Sequence, residues 1–219
     1  MLQESRKSGP SVVFEGVSKH YPGGATAVDA VSVAIAAGSF VALVGSSGSG
    51  KSTLLKMINR LVEPSAGRVT VNGAAVRDED AHLLRRRIGY IFQNVGLFPH
   101  LTVAENIAIG LRLGGSKDNV ARVGDLLDLV DLPRDFATRT PDALSGGQRQ
   151  RVGVARALAT EPGLLIMDEP FGALDPVTRD QLGTSIRGLH DRLGLTTIMV
   201  THDMAEALLL ADRVLVMDA

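Results

Sequence analysis

The densest chemistry in the 219-residue chain lies in GSSGSGKST, Gly45 to Thr53. Glycines there let successive backbone N–H groups turn toward an anion. Lys51 brings a cation on a long stem, and the Ser52 hydroxyl is a hard oxygen donor of the kind Mg2+ accepts. The run Gly45, Ser46, Ser47, Gly48, Ser49, Gly50, Lys51, Ser52 and Thr53 predicts a cradle for a nucleotide's phosphates, with Lys51 reaching the β- and γ-phosphates. The competing reading is an ordinary Gly/Ser loop. Context argues against it, because apolar SFVALV precedes the loop and amphipathic STLLKMINRL follows, the strand, loop and helix order such a cradle needs.

A second group is LLIMDEP, Leu164 to Pro170. Its apolar residues carry Asp168 to the carboxyl end of a buried strand, where α/β sheets bind their ligands. Asp168 is expected to hold Mg2+ through water, and Glu169 to orient and deprotonate an attacking water. Alone, a strand ending in Asp-Glu reads as a solvated turn; the phosphate loop in the same chain reverses that preference. TTIMVTHD likewise delivers His202 to a strand end. A lone histidine there is more often a structural hydrogen-bonding group, but beside a phosphate cradle it is expected to reach the γ-phosphate and fix the water, leaving Glu169 as base. Finally, LSGGQRQRVGVARAL opens a helical run with Ser145-x-x-Gln148 in capping-box spacing, a second helix N-terminus suited to an anion.

The elements that must position these groups follow from periodicity. Short aliphatic and β-branched runs predict strands at 12–17, 31–36, 39–44, 68–72, 88–92, 164–168, 196–201 and 213–217. Those at 164–168 and 196–201 lack polar alternation, the mark of a parallel sheet covered on both faces. Between Asn94 and about Thr160 the strand signal stops. LTVAENIAIGL opens with a Thr-x-x-Glu capping box, and VARVGDLLDLVDL spaces its apolar residues as a helix does. The expected division is a tail at 1–11, an α/β core at 12–93 and 161–219, and a helical subdomain at 94–160.

Composition narrows the function classes. A 45% hydrophobic content supports one good core, and a net charge of -1 offers no electrostatic footprint for broad nucleic-acid binding. The chain has no cysteine, which excludes disulfides and Cys-based zinc. No apolar run reaches bilayer length, and MLQESRKSGPS has no apolar signal region, so a protein inside the cell is expected.

Taken in order, these motifs resemble the ATP-binding subunit of ABC transporters over essentially the whole chain. LSGGQ, comprising Leu144, Ser145, Gly146, Gly147 and Gln148, is similar to that family's signature. Asp175 in GALDP is similar to its D-loop, Gln93 in YIFQNVGLFPH to its Q-loop, and Tyr21 in KHYPGG stands where an aromatic usually stacks on adenine. The resemblance implies an α/β phosphate-loop NTPase (ABC ATPase) core with an antiparallel β part and an inserted helical subdomain. It implies ATP and Mg2+ as ligands, with Ser52, Gln93 and Asp168 on the metal and Glu169, His202 and Gln93 in catalysis.

The two cradles are thereby explained. In this family two subunits associate head to tail in an ATP-dependent homodimer, and the signature of one receives the nucleotide of the other. Transmembrane permease subunits are the implied membrane partners, gripped through the helical subdomain, with an extracytoplasmic substrate-binding protein acting indirectly and no nucleic acid. The expected place is the inner face of the bacterial plasma membrane.

A non-transport ATPase of the same type is the alternative, but no coiled coil fits between Thr53 and Leu144, and only one cassette is present. A phosphate-loop kinase has no use for the signature. QNVGLFPHLTVAENI is similar to importers, and LLKMINRLVEPSAGRV together with QNVGLFPH to those for glycine betaine, choline and carnitine. The sequence ends at DRVLVMDA, where the family usually continues through further β-structure and osmoprotectant members often append regulatory domains; a shortened or naturally short form without that C-terminal part is expected.

Overall fold

The computed structural model describes residues 8–116, 119–172 and 174–218; residues 1–7 of the expected tail lie outside them. Two sheets form the framework. β1 (Val12–His20), β2 (Thr26–Ile35), β4 (Ala66–Val71) and β5 (Ala74–Ala75) make an antiparallel sheet in the order β2-β1-β4-β5. β3 (Phe40–Val44), β6 (Ile88–Ile91), β7 (Leu164–Asp168), β8 (Thr196–Thr201) and β9 (Arg213–Val216) make a parallel sheet in the order β6-β7-β8-β3-β9.

The helices are α1 (Lys51–Ile58), α2 (Ala81–Arg86), α3 (Val103–Leu113), α4 (Val120–Leu129), α5 (Gly146–Leu158), α6 (Pro176–Leu193) and α7 (Met204–Leu210). Thr102 and Glu105 form the expected capping box of α3. Between β6 and β7 the described chain is helical, with α3, α4 and α5 packed on one another. Among the described residues no helix is long and apolar enough to cross a membrane.

Side-chain alternation explains where the site forms. Every residue of β3 and β7 is buried, as both-face coverage requires. Phe40, Ala42, Val44, Leu165 and Met167 join the core under α3 to α6. Val41, Leu43, Leu164 and Ile166 face the other way, into the core around α1 and the antiparallel sheet. With a period of two, Asp168 continues the row of Leu164 and Ile166 and so points toward α1.

Two local expectations need correction. The strand expected at 31–36 begins earlier, at Thr26. Its first half runs through Asp29 and Ala30, the latter at φ 44°, so bulged pairing with β1 takes the place of regular alternation. The return strand β5 was not expected, although Asn72 and Gly73, at φ 50° and 79°, form the positive-φ pair that tight hairpins favour.

Candidate nucleotide site and the signature helix

The loop from Gly45 to Gly50 joins the end of β3 to the start of α1. Its glycines are required by close approaches. A Cβ on Gly45 would lie 2.1 Å from the Met217 carbonyl oxygen, and one on Gly50 2.0 Å from that of Ala27. Gly48 and Gly50 also have φ of 85° and 88°. Gly50 caps α1 without a side-chain bond, which leaves the first-turn N–H groups facing the loop.

Lys51 is buried, 6% exposed, and its ammonium donates to the carbonyls of Gly45 (2.9 Å) and Ser46 (2.6 Å) and to Ser49 Oγ (3.3 Å). The cation is thus held at the loop by carbonyl dipoles and, among the described residues, with no carboxylate bonded to it, an arrangement suited to an incoming polyanion. Ser47 is exposed on the loop, and Thr53 lies in the first turn of α1.

Ser52 donates to Asp168 Oδ1 at 2.6 Å. Lys56, one helical turn beyond Ser52, lies 3.0 Å from Asp168 Oδ2, and the Tyr90 hydroxyl donates to the same oxygen at 3.4 Å. Burial, with the Asp168 charge adding to it, drives the Tyr90 phenol far above its ordinary pKa and keeps it a donor. A hydroxyl and a carboxylate in contact form a hard-oxygen donor set. Mg2+ fits such a set when phosphates and water complete its shell, and it does not need a protein-only cage.

Glu169 follows in a strained conformation, φ 47°, with its N–H bonded to the Val200 carbonyl of the neighbouring strand at 2.9 Å. Its Oε2 accepts from Gln93 Nε2 at 3.0 Å and lies 3.5 Å from His202 Nδ1. Groups from the ends of β6 and β8 therefore converge on one carboxylate oxygen at the end of β7, the strand between them. Tyr21 stands apart in the β1–β2 turn, 40% exposed, with Lys19 Nζ 5.3 Å from its ring centroid. Among the described residues no hydrogen bond or ring contact joins it to the loop.

The second cradle is built from one helix end. Ser145 and Gln148 make the expected reciprocal box: Gln148 N–H donates to Ser145 Oγ (3.3 Å) and Ser145 N–H to Gln148 Oε1 (2.9 Å). Among the described residues no bond takes the N–H groups of Gly146 and Gly147. Leu144 is buried beneath the turn. A Cβ on Gly147 would meet Thr178 Cγ2 at 2.5 Å, so the signature packs on the start of α6. There Asp175 caps the helix by accepting from Thr178 N–H at 3.1 Å, and the Thr178 hydrogen bonds hold its carboxyl below the ordinary range.

Residues 28–172 match the family model described as ABC transporter. The chain belongs to that family. A Bacillus subtilis glycine betaine/carnitine/choline transport ATP-binding protein is 49% identical over 208 residues, 94% of this chain and 55% of the relative. A sulfate/thiosulfate import ATP-binding protein of Thermosynechococcus vestitus is also 49% identical, over 94% of this chain and 61% of its own. A solved dimeric ATP-binding cassette, in a post-hydrolysis state with ADP and Pi, superposes with a TM-score of 0.85 at 34% identity, covering 94% of each chain. This ABC transporter chain spans a little over half the length of the transport relatives it matches.

Sequence reasoning passed over two of the groups now seen on Asp168. Lys56 carried a signal, since it lies four residues after Ser52 on one helix face. Tyr90 carried none, because its place depends on the register that sets it opposite Ile166 on β7.

Proposed function

We propose that this chain is the ATP-binding and hydrolysing subunit of an ABC importer, with a core of 12–93 and 161–219 and a helical subdomain of 94–160. The observation that carries the reading is the convergence at the end of β7, where Asp168 holds Ser52 of the phosphate loop while Glu169 holds Gln93 and lies beside His202. The loop N–H groups and Lys51 bind the β- and γ-phosphates, and Tyr21 supports the base. Ser52 and Asp168, with Gln93, hold Mg2+, which when bound draws charge from the phosphate oxygens.

Glu169 takes the proton of the attacking water. Its Oε2 is engaged by Gln93 and His202, which leaves Oε1 to face the water as the new oxygen–phosphorus bond forms and the bond to the β-phosphate breaks. Ser145, Gly146 and Gly147, with Leu144 and Gln148 shaping the turn, receive the nucleotide of a second copy packed head to tail, and Asp175 lies at that contact. The helical subdomain meets transmembrane subunits at the inner face of the plasma membrane, and a substrate-binding protein acts through them.

Glycine betaine, choline or carnitine is the proposed cargo, supported by the segments 54–69 and 93–100 and by the B. subtilis relative. The T. vestitus relative, of equal identity, favours sulfate as a second reading. Uptake assays with the native permease, offered each solute in turn, separate the two. For the chemistry, phosphate release by Glu169→Gln is expected to fall about 1,000-fold with MgATP binding retained. Residual turnover near wild type would show that another group activates the water.

A further inference from the structure

The segment after Gln93 is bent against its own preferences. Val95 has φ 35°, and it is the one β-branched side chain among the described non-glycine residues with positive φ. Around it the Gly96 N–H closes back on the Asn94 carbonyl, and Gly96 itself has φ 60°. A turn of this kind persists only where its surroundings hold it.

The side-chain contacts that hold it come from α5. Arg156 Nη1 donates to the Gly96 carbonyl at 2.7 Å and Nη2 to the Val95 carbonyl, so the guanidinium fork spans two consecutive acceptors of the turn. One turn earlier, Gly153 faces the Val95 side chain so closely that a Cβ there would lie 2.6 Å from Val95 Cγ1. Burial holds the Arg156 pKa below its usual value, and among the described residues no carboxylate pairs with it, which leaves the two carbonyls as its partners. The same helix begins with the signature. At about 1.5 Å per residue, Gly146 and Arg156 are roughly 15 Å apart along one axis.

We propose that Arg156 is a positioning residue: by clamping the Val95–Gly96 turn to the signature helix, it sets the reach of Gln93 to Glu169. A second copy's nucleotide that engages Ser145 to Gly147 then acts through α5 on this copy's own Gln93. The catalytic half of this inference rests on the function proposed above. The clamp itself does not.

The test follows the Gln93 side-chain amide in the 15N-labelled chain, assigned by its disappearance in Gln93→Glu, beside MgATP binding and steady-state hydrolysis. In Arg156→Ala the amide signal is expected to move to the position it takes in Glu169→Ala, where its acceptor is gone. MgATP affinity stays within about threefold while kcat falls about tenfold or more, as for a displaced orienting group. Arg156→Lys, which keeps the charge but loses the fork, falls between. Gly153→Ala shifts the same signal without removing any charge.

An unmoved Gln93 signal in folded Arg156→Ala and Gly153→Ala overturns the proposal, as does an equal loss of binding and kcat with no shift. Should Arg156→Ala fail to fold, Arg156→Lys and Gly153→Ala decide by the same signal. A wild-type chain without hydrolysis refutes the proposed function, and the amide still decides the clamp.

Discussion

At Gly45–Thr53 the loop serine is bonded to an acid 116 residues further along the chain, and the neighbouring acid gathers side chains from two further strand ends. At Leu144–Gln148 the side-chain bonds are local: the helix cap bonds to itself, and Arg149, one residue further on, donates to the Leu144 carbonyl at 2.7 Å. Both stretches are glycine-rich turns before a helix, yet α1 starts on a left-handed glycine with no side-chain cap while α5 starts on a full capping box. The difference teaches what each requires. The first turn is one wall of an assembled chemical site. The second closes its own cap and, among the described residues, leaves two backbone donors with no acid, base or metal donor bonded to them, as half of the site proposed above would.

Four substitutions sharpen or break that contrast. Lys51→Ala should act most strongly. Losing two or more charge-assisted contacts to phosphate is expected to weaken MgATP binding about 100-fold in the isolated chain, measured by calorimetry. Gly50→Ala combines φ 88° with a Cβ 2.0 Å from a carbonyl oxygen. Urea unfolding should report a loss on the order of 2–3 kcal/mol. Ser145→Ala removes a cap worth about 1 kcal/mol, visible in the same unfolding measurement. It should leave nucleotide affinity of the monomer unchanged while lowering hydrolysis at concentrations where copies associate. A fall in monomer affinity would place the signature in its own chain's site. Tyr90→Phe should do least, because its 3.4 Å bond to Asp168 is long and Ser52 and Lys56 remain. A stability change of about 0.5–1 kcal/mol is expected.

Those effects rest on features that were unequally legible in the sequence. The phosphate loop, the Asp168–Glu169 pair and His202 could be read because each is a local spacing at the end of an apolar run. The parallel sheet followed from β7 and β8, whose residues are buried on both faces. Gln93 was placed at the metal and the water through family resemblance alone, and its bond to Glu169 was not expected, since 76 residues separate the two and no local rule joins them. Arg156 read only as a basic residue in a helix, because its partners are backbone carbonyls about 60 residues away whose accessibility depends on the conformation of Val95. The early half of β2 and the two residues of β5 escaped for another reason. Bulged pairing and a hairpin return depend on strand register, which alternation alone does not specify.

The central claim, that the two turns complete one another across two copies, is tested most directly by the solution mass of Glu169→Gln with and without MgATP. The account predicts a monomer without nucleotide and a dimer with MgATP, the dimer being lost again in the double variant carrying Ser145→Arg. A Glu169→Gln chain that binds MgATP with measurable affinity yet keeps the monomer mass at every concentration tested would contradict it.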